Sequence, residues 1–271
     1  MNHPSSLDGK FEGSIPLIYE TYLVPMLFEP YATDIVKRAR ARPAPRVLEI
    51  AAGTGVVTRA LAASMPAETS IVATDLNQAM LDRAAAAGIS RAVVWRQADA
   101  MQLPFSDGSF DAVVCQFGVM FFPDKDQSYR EVYRVLTPGG RYLFNIWDSH
   151  RYNAAGRIVH EIASSHFPTD PPQFMRVPFS YLFEPAKESL LAAGFTDITA
   201  AVDRLEKDLP KPEMLARGLV YGNPLSDQIR SRGGIDPEKV VEAVVAEYRR
   251  EFASGRMPLQ ATVISATKPR R

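Results

Sequence analysis

The sequence predicts an α/β protein with a doubly wound, mostly parallel seven-stranded sheet and helical cap segments. Three observations lead there. Short apolar runs alternate with helix-forming stretches between residues 46 and 147, the pattern of βαβ units with right-handed crossovers. A glycine-bearing turn joins the first run to the first helix. Two later segments, 196–202 and 260–267, alternate enough to add strands to the five of the core.

Taken in order, 46–50 reads as a buried strand and 56–64 has helix-forming composition. Strand 71–75 precedes helix 78–87, which Gly88 closes. Segments 92–97 and 110–116 are the third and fourth strands. In 126–136, Tyr129, Val132, Tyr133 and Leu136 make an amphipathic stripe at helical spacing. Pro138-Gly139-Gly140 stops that helix before a fifth strand, 141–147. Outside this core, 11–40 looks helical but interrupted by Pro16, Pro25 and Pro30, and 149–185 mixes helix with Pro168, Pro171, Pro172 and Pro178. Asp236-Pro237 reads as an N-cap with proline at the first helical position. Val240, Val244, Tyr248 and Phe252 then share one apolar face. With no repeat and no long polar linker, 1–271 reads as one domain. Its parts are an N-terminal cap (11–40), the core (46–147), cap and substrate segments holding the sixth strand (149–255) and a last strand (259–268).

Composition narrows the function. Hydrophobic residues are 46% and charged residues 23% of the 271, which excludes disordered and fibrous classes. Lys+Arg and Asp+Glu are both 31, so no excess charge favours nucleic acid or an anionic membrane. Pro269-Arg270-Arg271 is the one local basic hint. No apolar run reaches the ~18 residues of a membrane span, and residues 1–10 lack the apolar stretch of a secretory leader. Cys115 alone can form neither an internal disulfide nor a metal site. The expectation is a cytoplasmic protein acting on a small molecule, with no metal and an open oligomeric state.

The chemistry begins at Glu49-Ile-Ala-Ala-Gly-Thr-Gly55. Glycines there let the chain turn sharply and let a ligand lie against main chain. Asp75 ends the next strand, 20 residues after Gly55, where a carboxylate can accept ribose hydroxyls; capping the following helix is its other reading. A dinucleotide fingerprint would place glycine or alanine where Thr58 stands, and no P-loop lysine follows. A nucleoside without a pyrophosphate fits better.

With these residues in view, Val47-Leu-Glu-Ile-Ala-Ala-Gly-Thr-Gly55 resembles the first motif of class I S-adenosylmethionine-dependent methyltransferases. The resemblance continues in order through Ala73-Thr-Asp-Leu-Asn77 with Met80-Leu81, and Ala98-Asp-Ala-Met-Gln-Leu-Pro-Phe105. Phe110-Asp-Ala-Val-Val-Cys-Gln116, Phe122-Pro-Asp124 and Arg134-Val-Leu-Thr-Pro-Gly-Gly140 complete it. The set is similar to the small-molecule subgroup that includes the ubiquinone/menaquinone biosynthesis C-methyltransferases, and it implies a Rossmann-like methyltransferase fold. One departure is Ala51, where the family usually has glycine.

The resemblance also implies roles. Ala51, Gly53, Thr54 and Gly55 would line the methionine moiety of S-adenosylmethionine, or of the product S-adenosylhomocysteine, with Glu49 beneath the turn. Asp75 would hold the ribose and Leu76 and Met80 would flank the adenine, although core packing explains these two apolar residues nearly as well. Asp99 would accept from the adenine amino group while Ala100 and Met101 read the ring edge. Gln116 would lie near the methionine amino end, and Tyr19 from the cap would cover the cofactor.

Phe117, Phe121, Trp147 and Tyr181 are candidates for an apolar substrate pocket, Phe121, Trp147 and Tyr181 foremost. His150 is the least implausible base; His150, His160 and His166 lack the spacing of a helical metal pair. Cys115, inside an apolar strand, reads as a small hydrophobe. No catalytic residue stands out, as methyl transfer allows, since alignment alone is worth roughly 7–11 kcal/mol. An NAD(P)-dependent oxidoreductase and a non-catalytic S-adenosylmethionine-binding module are the rival readings.

Overall fold

A computed structural model describes residues 11–270. The polar segment 1–10 and Arg271, read above for a leader and a basic end, lie outside the described residues. Seven strands form one sheet: β1 (Arg46–Glu49), β2 (Ser70–Asp75), β3 (Val94–Gln97), β4 (Phe110–Gln116), β5 (Leu136–Trp147), β6 (Thr196–Asp208) and β7 (Arg256–Thr267). Their order is β3-β2-β1-β4-β5-β7-β6, and β7 alone runs opposite in direction to the other six.

Helices α1 (Ile15–Ile18) and α2 (Glu29–Ala39) flank a π-helical segment, Tyr19–Phe28. Then come α3 (Val56–Ser64), α4 (Gln78–Ala86), α5 (Lys125–Val135), α6 (Ala154–Ser165), α7 (Phe183–Ala192), α8 (Pro212–Tyr221), α9 (Leu225–Arg232) and α10 (Pro237–Glu251).

The sheet buries both faces, so its central strands are nearly uninterrupted hydrophobic runs. Val47, Ile71, Val114 and Leu143 pack with Ile35, Val57 and Leu61 under α2 and α3. Their neighbours Leu48, Val113, Tyr142 and Phe144 point the other way, into the cluster holding Tyr129 and Val132 of α5. Successive strand residues therefore serve opposite layers.

Several boundaries differ from expectation. The prolines do not interrupt 11–40: Pro16 and Pro30 occupy first-turn positions where no N–H is needed, and Pro25 is absorbed within the π-helical segment. β5 starts at Leu136 instead of residue 141 because Gly139 N–H donates to Lys268 O and Lys268 N–H to Gly140 O, extending the pairing. β6 and β7 outrun their apolar cores, continuing as a ladder to Asp208↔Arg256. Backbone pairing carries this polar end, so hydropathy did not reveal it. β3 is the shorter Val94–Gln97. The Asp236 cap is as expected, its side chain accepting from Glu238 N–H, and Val240, Val244, Tyr248 and Phe252 are buried.

Candidate functional site

The strand order reverses between β1 and β4, the place where open α/β sheets leave a crevice at their carboxyl ends. A cavity of about 350 Å³ opens there, between the ends of β1, β2, β4 and β5 and the π-helical cap.

One wall is the turn after β1. Ala52 N–H donates to Thr74 O and Gly55 N–H to Ala52 O, which curls the chain tightly. Ala51, Gly53 and Gly55 take φ of 54°, 55° and 82°. Gly53 faces the cavity: a Cβ there would point at Tyr19, 3.9 Å from its ring and hydroxyl. Gly55 serves packing, since its Cβ would meet Ala84 at 3.0 Å and Trp95 at 3.1 Å. Of the four turn residues expected to touch a ligand, Ala51 and Gly53 line the cavity. Thr54 and Gly55 do not; Thr54 is buried with its carbonyl taken by Arg59.

Asp75 closes β2. Its Oδ2 accepts from Gly53 N–H at 2.8 Å and its Oδ1 from Asn77 N–H at 2.9 Å. The carboxylate therefore clamps the glycine turn to the β2–α4 turn, and Asn77, not Asp75, holds the N-cap position of α4. Burial pushes the Asp75 carboxyl up, against the pull of those N–H donors. Asn77 Nδ2 also reaches Oδ1, at 3.5 Å, so Oδ2 is the oxygen that keeps a lone pair for a further donor. Behind the turn, Glu49 is buried and accepts from Thr58 Oγ1 at 2.5 Å. Loss of solvent pushes its carboxyl up to about 8.

Asp99 Oδ1 accepts from Met101 N–H at 2.8 Å, forming the turn that presents Ala100 and Met101 to the cavity. Leu76, 42% exposed, and buried Met80 line the same half. Gln116 Nε2 donates to Phe28 O at 3.1 Å, whereas its buried Oε1 has no partner among the described residues. Tyr19 lies over this half, stacked on Phe28 with ring centroids 5.0 Å apart. Burial pushes its hydroxyl further above the ordinary tyrosine range, so it stays protonated near neutral pH.

The other half is aromatic. Trp147 stacks on Phe117 at 4.0 Å and 8°, and Phe121 stacks on Phe174 at 5.5 Å. Tyr181 corrects an expectation: it is absent from the lining, its hydroxyl 3.0 Å from that of Tyr129. His150 is also outside, with Nε2 3.0 Å from Met175 O. Among the described residues no cluster of His, Cys, Asp and Glu could hold a metal. Cys115 is fully buried and its thiol is pushed up to about 12, as a packing residue's would be. Phe28, Phe174, Asn153, Gly156 and Asn223 also line the cavity without having been predicted. They carry no local motif and meet only through tertiary packing.

Asp75, Asp99 and Tyr19 are the only ionisable side chains among the described lining residues, and none is cationic. The open Gln116 oxygen, the side-chain-free approach at Gly53 and the two carboxylates fit a nucleoside bearing a cationic group.

Comparison with known proteins agrees with this geometry. A family model described as a methyltransferase domain matches residues 48–144. A 102-residue stretch is 43% identical to the ubiquinone/menaquinone biosynthesis C-methyltransferase UbiE of Idiomarina loihiensis, covering 36% of this chain and 41% of that protein. The protein of the same name from Pseudomonas aeruginosa is 32% identical over 179 residues, covering 60% of this chain and 70% of the relative. The chain spans about half the length of the curated relatives it matches first, 41–59%. Among solved structures, Haemonchus contortus phosphoethanolamine N-methyltransferase 2 in complex with S-adenosyl-L-methionine superposes with a TM-score of 0.63 at 18% identity, over 99% of this chain and 60% of that one. By the ordered motifs, the sheet topology and this relatedness, the chain belongs to the class I S-adenosylmethionine-dependent methyltransferases.

Proposed function

We propose that this protein binds S-adenosylmethionine in the carboxylate half of the cavity and transfers its methyl group to a small, partly hydrophobic acceptor in the aromatic half. The observation that carries the reading is the composition of the cavity at the sheet's switch point: two carboxylates, no cation, and an aromatic wall. Asp75 would hold the ribose hydroxyls, Asp99 with Ala100 and Met101 the adenine edge, and Leu76 and Met80 the ring faces. Gln116 Oε1 would accept from the methionine ammonium, with Ala51 and Gly53 alongside and Tyr19 above.

Bound there, the cofactor supplies an electrophilic sulfonium methyl. The chain's own contribution is positional. The clamp between Asp75 and Gly53 fixes the turn, Tyr19 and Phe28 cover the site, and the stacked Trp147 and Phe117 keep water from the acceptor side. Both lining carboxylates already accept backbone N–H groups, and the Tyr19 hydroxyl stays protonated. A base is needed only where the acceptor must lose its proton, so holding the acceptor in line is the main source of rate. A nicotinamide dinucleotide is disfavoured because Thr58 stands where the pyrophosphate-binding turn needs glycine or alanine.

Calorimetry with S-adenosylhomocysteine and NAD tests the cofactor. Binding of S-adenosylhomocysteine in preference to NAD is expected. Asp75→Ala should weaken it at least tenfold, since each hydrogen bond to a charged group is worth about 1.5–3 kcal/mol. Affinity for NAD alone would overturn the reading. A metabolite screen read by mass spectrometry for added methyl groups separates an enzyme from a binding module.

A further inference from the structure

At the half of the cavity away from Asp75 and Asp99, the two side-chain amides of the lining are tied to the protein's own backbone. Asn153 Nδ2 donates to Asp148 O and Gln260 O, both at 2.9 Å, and its Oδ1 accepts from Gln260 N–H at 3.0 Å. Asn223 Nδ2 donates to Leu219 O at 2.7 Å and its Oδ1 accepts from Leu225 N–H at 2.9 Å. Both amides line the cavity, and each already has backbone partners at its nitrogen and its oxygen. The distinctive feature of this half is its shape.

One glycine sets that shape. Gly156 is the third residue of α6, a position where alanine would be the better helix former. A Cβ on it would lie 2.4 Å from Cζ and 2.6 Å from Cε2 of Phe179. Phe179 ends a short 3₁₀ turn, Val177–Phe179, and is packed against the His150 ring at 4.6 Å and Trp147 at 6.2 Å. Gly156 and Phe179 both line the cavity. A methyl group on Gly156 would therefore push the Phe179 ring aside, and the cavity that ring lines is empty volume next to it.

We infer that Gly156, acting through Phe179, is the residue that determines acceptor size, and that the acceptor half selects uncharged apolar molecules by fit instead of by hydrogen bonding. The inference rests on the methyl-transfer reading, which makes this half the acceptor's.

The test uses the full chain saturated with S-adenosylhomocysteine. Indole is the uncharged probe and indole-3-carboxylate its anionic counterpart, both followed by saturation-transfer NMR. Indole should bind, and the carboxylate should bind at least about tenfold more weakly, because no cationic side chain among the described lining residues compensates a buried charge. Gly156→Ala should weaken indole about tenfold or more by filling the seat, with S-adenosylhomocysteine affinity kept within about twofold. Gly156→Ala combined with Phe179→Ala should restore indole binding by removing the displaced ring.

Equal binding of the two probes overturns the inference. So does indole binding unchanged in Gly156→Ala, or a folded, S-adenosylhomocysteine-binding double variant that fails to recover. If the unaltered chain does not bind S-adenosylhomocysteine, the methyl-transfer reading falls and takes the acceptor assignment with it. Cofactor binding without indole binding sinks the acceptor assignment alone.

Discussion

The methyl group of Ala51 occupies the space that a side chain on Gly118 would need. A Cβ on Gly118 would lie 2.5 Å from Ala51 Cβ and 2.8 Å from Cys115 Sγ. Ala51 holds φ at 54°, in the left-handed region that costs an L-residue roughly 1–2 kcal/mol. The turn after β1 and the segment after β4 are therefore fitted as a pair. Alanine stands where the family usually has glycine, and glycine stands opposite it.

This pairing should show as energetic coupling. Gly118→Ala should destabilise the protein clearly. Ala51→Gly should be nearly neutral, since relief of roughly 1–2 kcal/mol of strain offsets an entropic cost of about 0.5–1 kcal/mol. The double variant should recover part of the Gly118→Ala loss, with a coupling of about 0.5–3 kcal/mol. Recovery stays partial because Cys115 Sγ still crowds the new methyl. Urea unfolding of the four proteins measures this, and strictly additive losses would show that the two sites do not touch.

Glu49 links stability to pH. Its carboxyl ordinarily titrates near 4.5 and is pushed up to about 8 in the fold, mainly by desolvation. Between those values the native state binds a proton that the unfolded chain has released. Its contribution is therefore complete below 4.5 and is lost as pH rises through about 8. The slope can reach one proton's worth, about 1.4 kcal/mol per pH unit. Urea denaturation from pH 5 to 9 should show this decline, and Glu49→Gln should flatten it. An equally steep decline in Glu49→Gln would assign the pH dependence to another group.

The parts of the site legible in the sequence are those whose partners lie close along the chain. Gly53 and Asp75 follow adjacent strands, and Asp99 makes its turn with Met101 two residues on, so a linear motif holds each arrangement. Phe28, Phe174 and Gly156 have no such signal. Their neighbours come from α2's flank, the loop before the 3₁₀ turn and α6, and only packing brings them to one cavity. Tyr181 shows the converse error: an aromatic residue in an apolar cap segment can face either side, and its hydroxyl found Tyr129. Trp147 is both things at once. It reaches the crevice as the end of β5, but it is also buried against Phe117 and Tyr31. Loss of its ring would thus cost stability as well as acceptor binding.

The last relationship concerns the cap over the cofactor half. Glu20 follows Tyr19 on the π-helical segment, and its carboxylate accepts from Arg83 of α4 and lies 3.6 Å from Arg59 of α3. Arg59 in turn donates to the Thr54 carbonyl at 2.7 Å, within the glycine turn. The segment that contributes Tyr19, Leu23, Leu27 and Phe28 to the cavity wall is so pinned to both helices that frame the cofactor turns. Glu20 is mostly shielded from solvent, so its bond to arginine counts as a charge-assisted one, worth about 1.5–3 kcal/mol. Glu20→Gln weakens that bond and keeps the side chain's size. Undocking of the cap should become about tenfold easier, and S-adenosylhomocysteine should dissociate faster by a similar factor in stopped-flow displacement. Glu247→Gln, which breaks the ion pair with Arg250 on the distant α10, should leave that rate unchanged. Equal dissociation rates for Glu20→Gln and the unaltered protein would mean that the cap does not limit exchange.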